Sequence, residues 1–210
     1  MKKLNFHGSQ LCISLRSPFA RRVRLAFLEH GIEFTEKVYD VFQENPDLFD
    51  LNPLGRIPVL QLKSGDILGD SNYILQLFYG SIDSPLSPKN DQEKIDIAYW
   101  QFISVGVCEK LVEFFLDSKK EPNLVDPQIE QELKTISGRI FHKLEKRLTE
   151  SNSSFLACDK LTQADLDLGT ALDYYDLRYS TSWKEEFPKL ALYQADLRLR
   201  PSLQKTAPPK

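Results

Sequence analysis

Cysteine, histidine, tryptophan and methionine are all scarce, with three, three, two and one copies in 210 residues. Cys12, Cys108 and Cys158 lie far apart and no CxxC occurs, so the chain encodes neither a disulfide framework nor a dithiol redox motif. His7, His30 and His142 are equally isolated, and no cysteines or histidines stand at zinc-ligand spacing, so no metal is expected. A lone histidine on a mixed surface is most often a solvated side chain, and none is assigned a catalytic role.

Long apolar runs are also missing. The start, MKKLNFHGSQLCIS, lacks the apolar stretch of a signal peptide, and no later segment is long enough for a bilayer span. Charge of one sign is lacking too: the formal net charge is -3 and the basic residues are dispersed, so neither nucleic acid nor an anionic membrane is expected as partner. These absences point to a cytoplasmic protein. The chain carries no internal repeat or low-complexity tract, and only a short frayed tail is expected at 207–210.

What is present is ordinary globular composition, 41% hydrophobic and 27% charged, sufficient for two small domains. In the first, residues 1–80, LCISL (11–15) reads as a strand. Ser17 follows as a helix N-cap with Pro18 at the first helical position. Phe19, Val23, Ala26 and Phe27 then recur at helical spacing, Arg21, Arg22 and Arg24 fill positions between them, and Gly31 ends the helix. From Ile32 to Tyr39 the residues alternate, giving a second strand that a right-handed crossover makes parallel to the first. In NPLGRIPVLQLKSGDILGDSNYILQLF, Pro58 begins a strand apolar on both faces, Lys63 to Asp66 turn a hairpin around Gly65, and a helix starts at Asp70. The Ile57-Pro58 bond is a candidate for cis geometry. The order is βαβαββα, preceded by an extension over residues 1–9.

Turn residues dominate 81–92, which reads as a linker, and strand signals stop beyond it. Residues 93–210 read as all-helical. Ile95, Ala98, Tyr99 and Phe102 form one helical stripe; Ile129, Leu133, Ile136, Ile140, Leu144 and Leu148 form another. In LTQADL, Thr162 and Asp165 make a capping box, with Leu161 and Leu166 as its staple.

Together these motifs resemble the cytosolic glutathione transferase family. SPFARRVRLAFLEHGIEF is similar to the first helix of bacterial serine-type, omega and zeta transferases. NPLGRIPVL resembles the family's cis-proline segment, DSNYIL its acid-serine motif, and FLACDKLTQADL its capping-box helix. The resemblance implies a thioredoxin-like domain (α/β) followed by an all-α domain. It also implies glutathione as co-substrate, a small electrophile as second substrate, and a homodimer. By the same resemblance Ser71 holds the γ-glutamyl carboxylate, Asp70 assists with the amine, the backbone of Ile57 before Pro58 pairs with the glutathione cysteine, and Arg56 contacts the glycyl end.

Ser17 takes the catalytic position, with Ser14 as the alternative if the alignment slips. In omega relatives a cysteine stands at this helix start; here both glutaredoxin-like sulfur positions read Ser17 and Ala20, which favours activation of the substrate thiol over thiol–disulfide exchange. Cys12 is expected as a small core residue. A zeta-type glutathione-dependent isomerase and a non-catalytic interaction protein resembling stringent starvation protein A stay open as alternatives. Departures from the family pattern are Cys158, where a glycine is usual, and the amino-terminal extension.

Overall fold

The computed structural model describes residues 3–121, 124 and 128–209. The chain divides into two compact units, one of Met1–Ser87 with Gln204–Lys210, the other of Pro88–Leu203.

The first unit is a thioredoxin-like domain. Its elements are β1 (Ser9–Ile13), α1 (Pro18–Glu29), β2 (Phe34–Val38), α2 (Pro46–Leu51), β3 (Val59–Gln61), β4 (Ile67–Gly69) and α3 (Ser71–Ser81). The strands form one mixed sheet in the order β2-β1-β3-β4, with β1 parallel to β2 and antiparallel to β3, and β3 antiparallel to β4. Strand alternation divides the buried residues between two faces. Leu11, Ile13 and Leu60 join Phe27, Ile74 and Phe78 on one side, while Cys12 and Val59 join Tyr39 and Leu48 on the other. Two buried faces explain why β3 is apolar at successive positions. The hairpin closes as expected: Leu62 N–H donates to the Asp66 carbonyl at 2.9 Å, and Gly65 supplies the φ of +92° that the turn requires.

Two expectations for this unit need correction, and the extension, left without a role by the sequence, acquires one. The first strand begins at Ser9 rather than at Leu11 and ends at Ile13, because Ser17 N–H turns back to the Ser14 carbonyl at 3.0 Å and takes Ser14 and Leu15 out of the ladder. The amino-terminal extension is in part core: Phe6 is 2% exposed and meets Phe27 and Phe78 edge-on at 5.8 and 5.2 Å. Each such edge-on aromatic pair adds about 0.5–1.5 kcal/mol beyond the area it buries. The tail expected to fray instead groups with this unit. Thr206 is buried and accepts from Arg21 Nε at 3.1 Å, and the Pro209 carbonyl accepts from Arg16 Nε at 3.1 Å.

The second unit holds α4 (Asp91–Asp117), α5 (Ile129–Glu150), α6 (Gln163–Arg178), α7 (Trp183–Glu186) and α8 (Pro188–Arg198); α9 (Pro201–Lys205) follows. Every residue of α6 from Gln163 to Tyr174 is buried, so this helix is the centre around which α4 and α8 pack. Asp165 completes the expected capping box. Its Oδ2 accepts the backbone N–H and the hydroxyl of Thr162, each at 2.7 Å.

The stripe read on α4 lies on the wrong side of that helix to be its core face. Ile95, Ala98, Tyr99 and Phe102 are exposed, and Ile97, Trp100, Ser104, Cys108 and Leu111 point inward. Both sets recur at helical spacing, and periodicity alone does not say which one meets α6. On α5 the inward positions are Leu133, Ser137, Phe141 and Leu144, overlapping the expected stripe at Leu133 and Leu144.

Candidate active site

The register of the sheet gathers the candidate residues at one end. Cys12 pairs with Val59, and Val59 in turn pairs with Gly69. One more step along the same antiparallel registers sets Ile13 opposite Pro58, and Pro58 opposite Asp70. The β1 end leading to Ser14 and Ser17, the β3 start at Ile57-Pro58 and the α3 start at Asp70-Ser71 therefore lie on three adjacent chains. At about 4.8 Å per strand, these cover about 10 Å.

The α1 start is built as its sequence promises. Ser17 has extended backbone angles, its Oγ accepts the Ala20 N–H at 3.2 Å, and Pro18 occupies the first turn, where its missing N–H costs nothing. A serine hydroxyl has one proton to give and two acceptor lone pairs. With the oxygen committed to Ala20, the proton remains available for a second group. Ser14 and Ser17 are both partly exposed, and Leu15 and Arg16 between them are exposed. Cys12, one strand residue away from Ile13, has no exposure, and burial pushes its thiol up.

The loop before β3 is organised by Asn52. Its side chain donates to the Arg56 carbonyl at 2.8 Å and accepts the Leu54 N–H at 3.1 Å, while Gly55 turns the chain at a φ of +63°. The Ile57-Pro58 bond is cis, as the sequence suggests. Pro58 is buried, Ile57 half-buried and Arg56 exposed.

At the α3 start Asp70 is the N-cap, its Oδ1 accepting the Asn72 N–H at 2.7 Å. Asp70 has a φ of +58°, the one positive value at a non-glycine residue among the described residues. Such a conformation costs roughly 1–3 kcal/mol and concentrates at functional sites. Next to it Ser71 is 3% exposed, in the first turn of a helix whose N–H groups favour an anion.

Beneath Ser71 lies a residue that sequence reading passed over. Arg21, Arg22 and Arg24 are not solvated; they are 3%, 2% and 7% exposed. Arg24 pairs with Glu36 through Nε at 2.8 Å and Nη2 at 3.2 Å. Arg22 Nη1 donates to Ser71 Oγ at 3.1 Å and also to Asn72 Oδ1. Only the three-dimensional neighbour shows this role, since an arginine between apolar helix positions reads as a solvent-facing one. Among the described residues, no group of three or more histidine, cysteine or acidic side chains is placed to hold a metal ion.

A thioredoxin-like domain with a cis-proline strand start and an acid-serine helix start, continued by a helical unit, is the two-domain architecture of the transferases. Family models describe the same division: one for the glutathione S-transferase N-terminal domain matches residues 16–79, and one for the C-terminal domain matches residues 107–205. The chain belongs to the glutathione S-transferase family. Glutathione S-transferase U4 of Arabidopsis thaliana is 32% identical over 119 residues, 50% of this chain and 52% of that protein, so this chain spans about half of that relative's length. An uncharacterised GST-like protein of Escherichia coli, YibF, is 24% identical over 94% of this chain and 97% of its own. Among solved structures, a glutathione S-transferase from Methylobacillus flagellatus with glutathione bound superposes with a TM-score of 0.87 and 28% identity, over 96% of this chain and all of that one.

Proposed function

We propose that this protein is a serine-type glutathione transferase that binds glutathione across the three adjacent strand ends and activates its thiol for attack on a small electrophile. One observation carries the reading: the α3, β3 and α1 starts lie on three adjacent chains, a span of about 10 Å that the γ-glutamyl-cysteinyl arm with its thiol can bridge. Along it the α3 start with Ser71 takes the γ-glutamyl carboxylate, Asp70 takes the amine, and the Ile57 backbone pairs with the cysteinyl unit as an added strand. Arg56 is exposed and serves the glycyl carboxylate. The thiol then reaches Ser17.

A free thiol titrates near 8.5, and each unit of lowering amounts to about 1.4 kcal/mol. Donation from the Ser17 hydroxyl, with the positive end of the α1 dipole, favours the thiolate. The thiol proton leaves to solvent, the sulfur lone pair forms the new bond to carbon, and the electrophile's leaving group departs with its own electron pair. Ser17 and Ala20 offer no sulfur for a mixed disulfide. The chemistry suits the cytosol, where glutathione is held reduced.

We also propose a homodimer. Tyr73 and Leu77 on α3, and Ile95 and Phe102 on α4, are large exposed apolar side chains of the kind a second copy covers. Light scattering on the eluting protein should give twice the chain mass; a monomeric mass excludes the dimer.

Calorimetric titration of glutathione into the purified protein tests the site. Micromolar to low-millimolar binding, weakened about tenfold by Ser71→Ala, is expected. Folded protein that takes up no glutathione would overturn the proposal and favour the non-catalytic interaction role. Turnover is then measured with glutathione and an aryl halide. Binding without conjugation would direct the search to cis-trans isomerisation.

A further inference from the structure

We propose that Arg22, a residue of α1, is a positioning residue for the γ-glutamyl carboxylate: it acts through Ser71, and through Asn72 steadies the adjoining Asp70, without touching the ligand. The inference rests on the glutathione site proposed above. Arg22 differs from its neighbours in what it holds. Arg24 meets a carboxylate on β2 and Arg21 donates to Thr206 near the end of the chain. Arg22 donates into the first turn of α3, at Ser71, the residue assigned to the anion, and at Asn72 beside it.

A guanidinium has donors and no acceptor. When Nη1 donates to Ser71 Oγ, that oxygen is an acceptor in the bond and the Ser71 proton turns away from Arg22. The hydroxyl, otherwise a three-position rotor, is thereby restricted to the positions turned away from Arg22, from which it can donate to an anion. The same Nη1 donates to Asn72 Oδ1, and the Asn72 N–H donates to Asp70 Oδ1 at 2.7 Å. Arg22, Asn72 and Asp70 thus form one connected chain. It ends on the residue with the unfavourable φ of +58°, and such a conformation persists only where its surroundings over-determine it.

The ligand itself supplies the test. Glutathione is compared calorimetrically with its analogue carrying a carboxamide in place of the γ-glutamyl α-carboxylate, on wild type, Arg22→Met and Arg22→Lys, with circular dichroism to confirm folding. Wild type should prefer glutathione at least about tenfold. Arg22→Met should bind glutathione about tenfold more weakly and the carboxamide within about twofold of wild type, erasing the preference; Arg22→Lys should restore part of it. In turnover, KM for glutathione should rise while kcat at saturation stays near wild type.

Equal weakening of both ligands would show a merely structural arginine, and an undiminished preference in Arg22→Met would show no role in the anion site; either overturns the inference and leaves the glutathione site standing. A wild type that binds neither ligand removes the site itself, and the inference with it. If neither variant folds, nitrogen-labelled arginine signals of wild type decide, assigned with Arg21→Lys and Arg24→Lys. A buried guanidinium signal that moves with glutathione and not with the carboxamide supports Arg22, and a signal indifferent to the two ligands overturns it.

Discussion

The Tyr193 hydroxyl donates to Asp165 Oδ1 at 2.7 Å, joining α8 to the first turn of α6. The same oxygen accepts the Leu156 N–H at 2.7 Å, and Oδ2 holds both donors of Thr162. Asp165 and Thr162 have no exposure. Asp165→Ala therefore leaves four donors without their acceptor, a loss of roughly 3 kcal/mol or more, whereas Tyr193→Phe removes one bond and costs about 1 kcal/mol. Urea unfolding of the two variants should separate them by that margin. Near-equal midpoints would mean that the buried carboxylate is not the organiser of α6.

Ser17→Ala should leave glutathione affinity within about threefold of wild type and move the acid limb of kcat/KM upward by about one unit, towards the 8.5 of a free thiol. At pH 6.5 conjugation would then fall about tenfold, with recovery at pH 9. Ser14→Ala should leave the profile in place. The reverse pattern would assign thiol activation to Ser14.

At Asp70 the cap and the charge can be separated. Asparagine caps as well as aspartate and tolerates positive φ, so Asp70→Asn should keep the melting temperature within about 2 °C while weakening glutathione several-fold through loss of the charge facing its amine. A large fall in melting temperature with unchanged affinity would make Asp70 a structural cap alone.

Lys37 on β2 and Asp47 on α2 form an exposed ion pair, and the Tyr39 hydroxyl donates to the same carboxylate oxygen at 3.0 Å. Hydrogen bonding to Lys37 holds the Asp47 carboxyl below its ordinary value, and the bond to Asp47 raises Lys37. The sign follows from linkage. The stabilisation from Asp47 is present above the unfolded carboxylate value of about 3.9 and is lost as pH falls through its lowered folded value. That from Lys37 is present below about 10.4 and is lost as pH rises through its raised value. The melting-temperature difference between wild type and Asp47→Asn should be small and flat from pH 5 to 9, should shrink below about pH 4, and should diminish with salt. A difference that grows on acidification would contradict the pairing.

How much was legible beforehand depends on how far apart in the chain the deciding groups stand. The Ser17-Pro18 helix start, the Gly65 hairpin, the Asp70 cap and the Thr162/Asp165 box are set by neighbours within a few residues, where sterics and local hydrogen bonds act without help from the fold. Residue types at those spacings encode them directly, and the candidate site, assembled from such starts, was readable for that reason.

The burial of Arg22 was not readable, because Ser71 lies 49 positions away and only the packing of α1 against α3 brings it near. Nor was the docking of the tail, since Arg16 and Pro209 are separated by 193 positions, and Arg21 and Thr206 just before it by 185. The α4 stripe shows the same limit in another form: Ile97 and Trp100 carry the same helical period as Ile95, Tyr99 and Phe102, and only contact with α6 chooses between them. The sequence by itself determined where α1, α3 and α6 start and which residues stand at those starts. Tertiary structure decided which of the apolar and charged side chains found partners, because burial is a property of what packs against a residue and not of the residue alone.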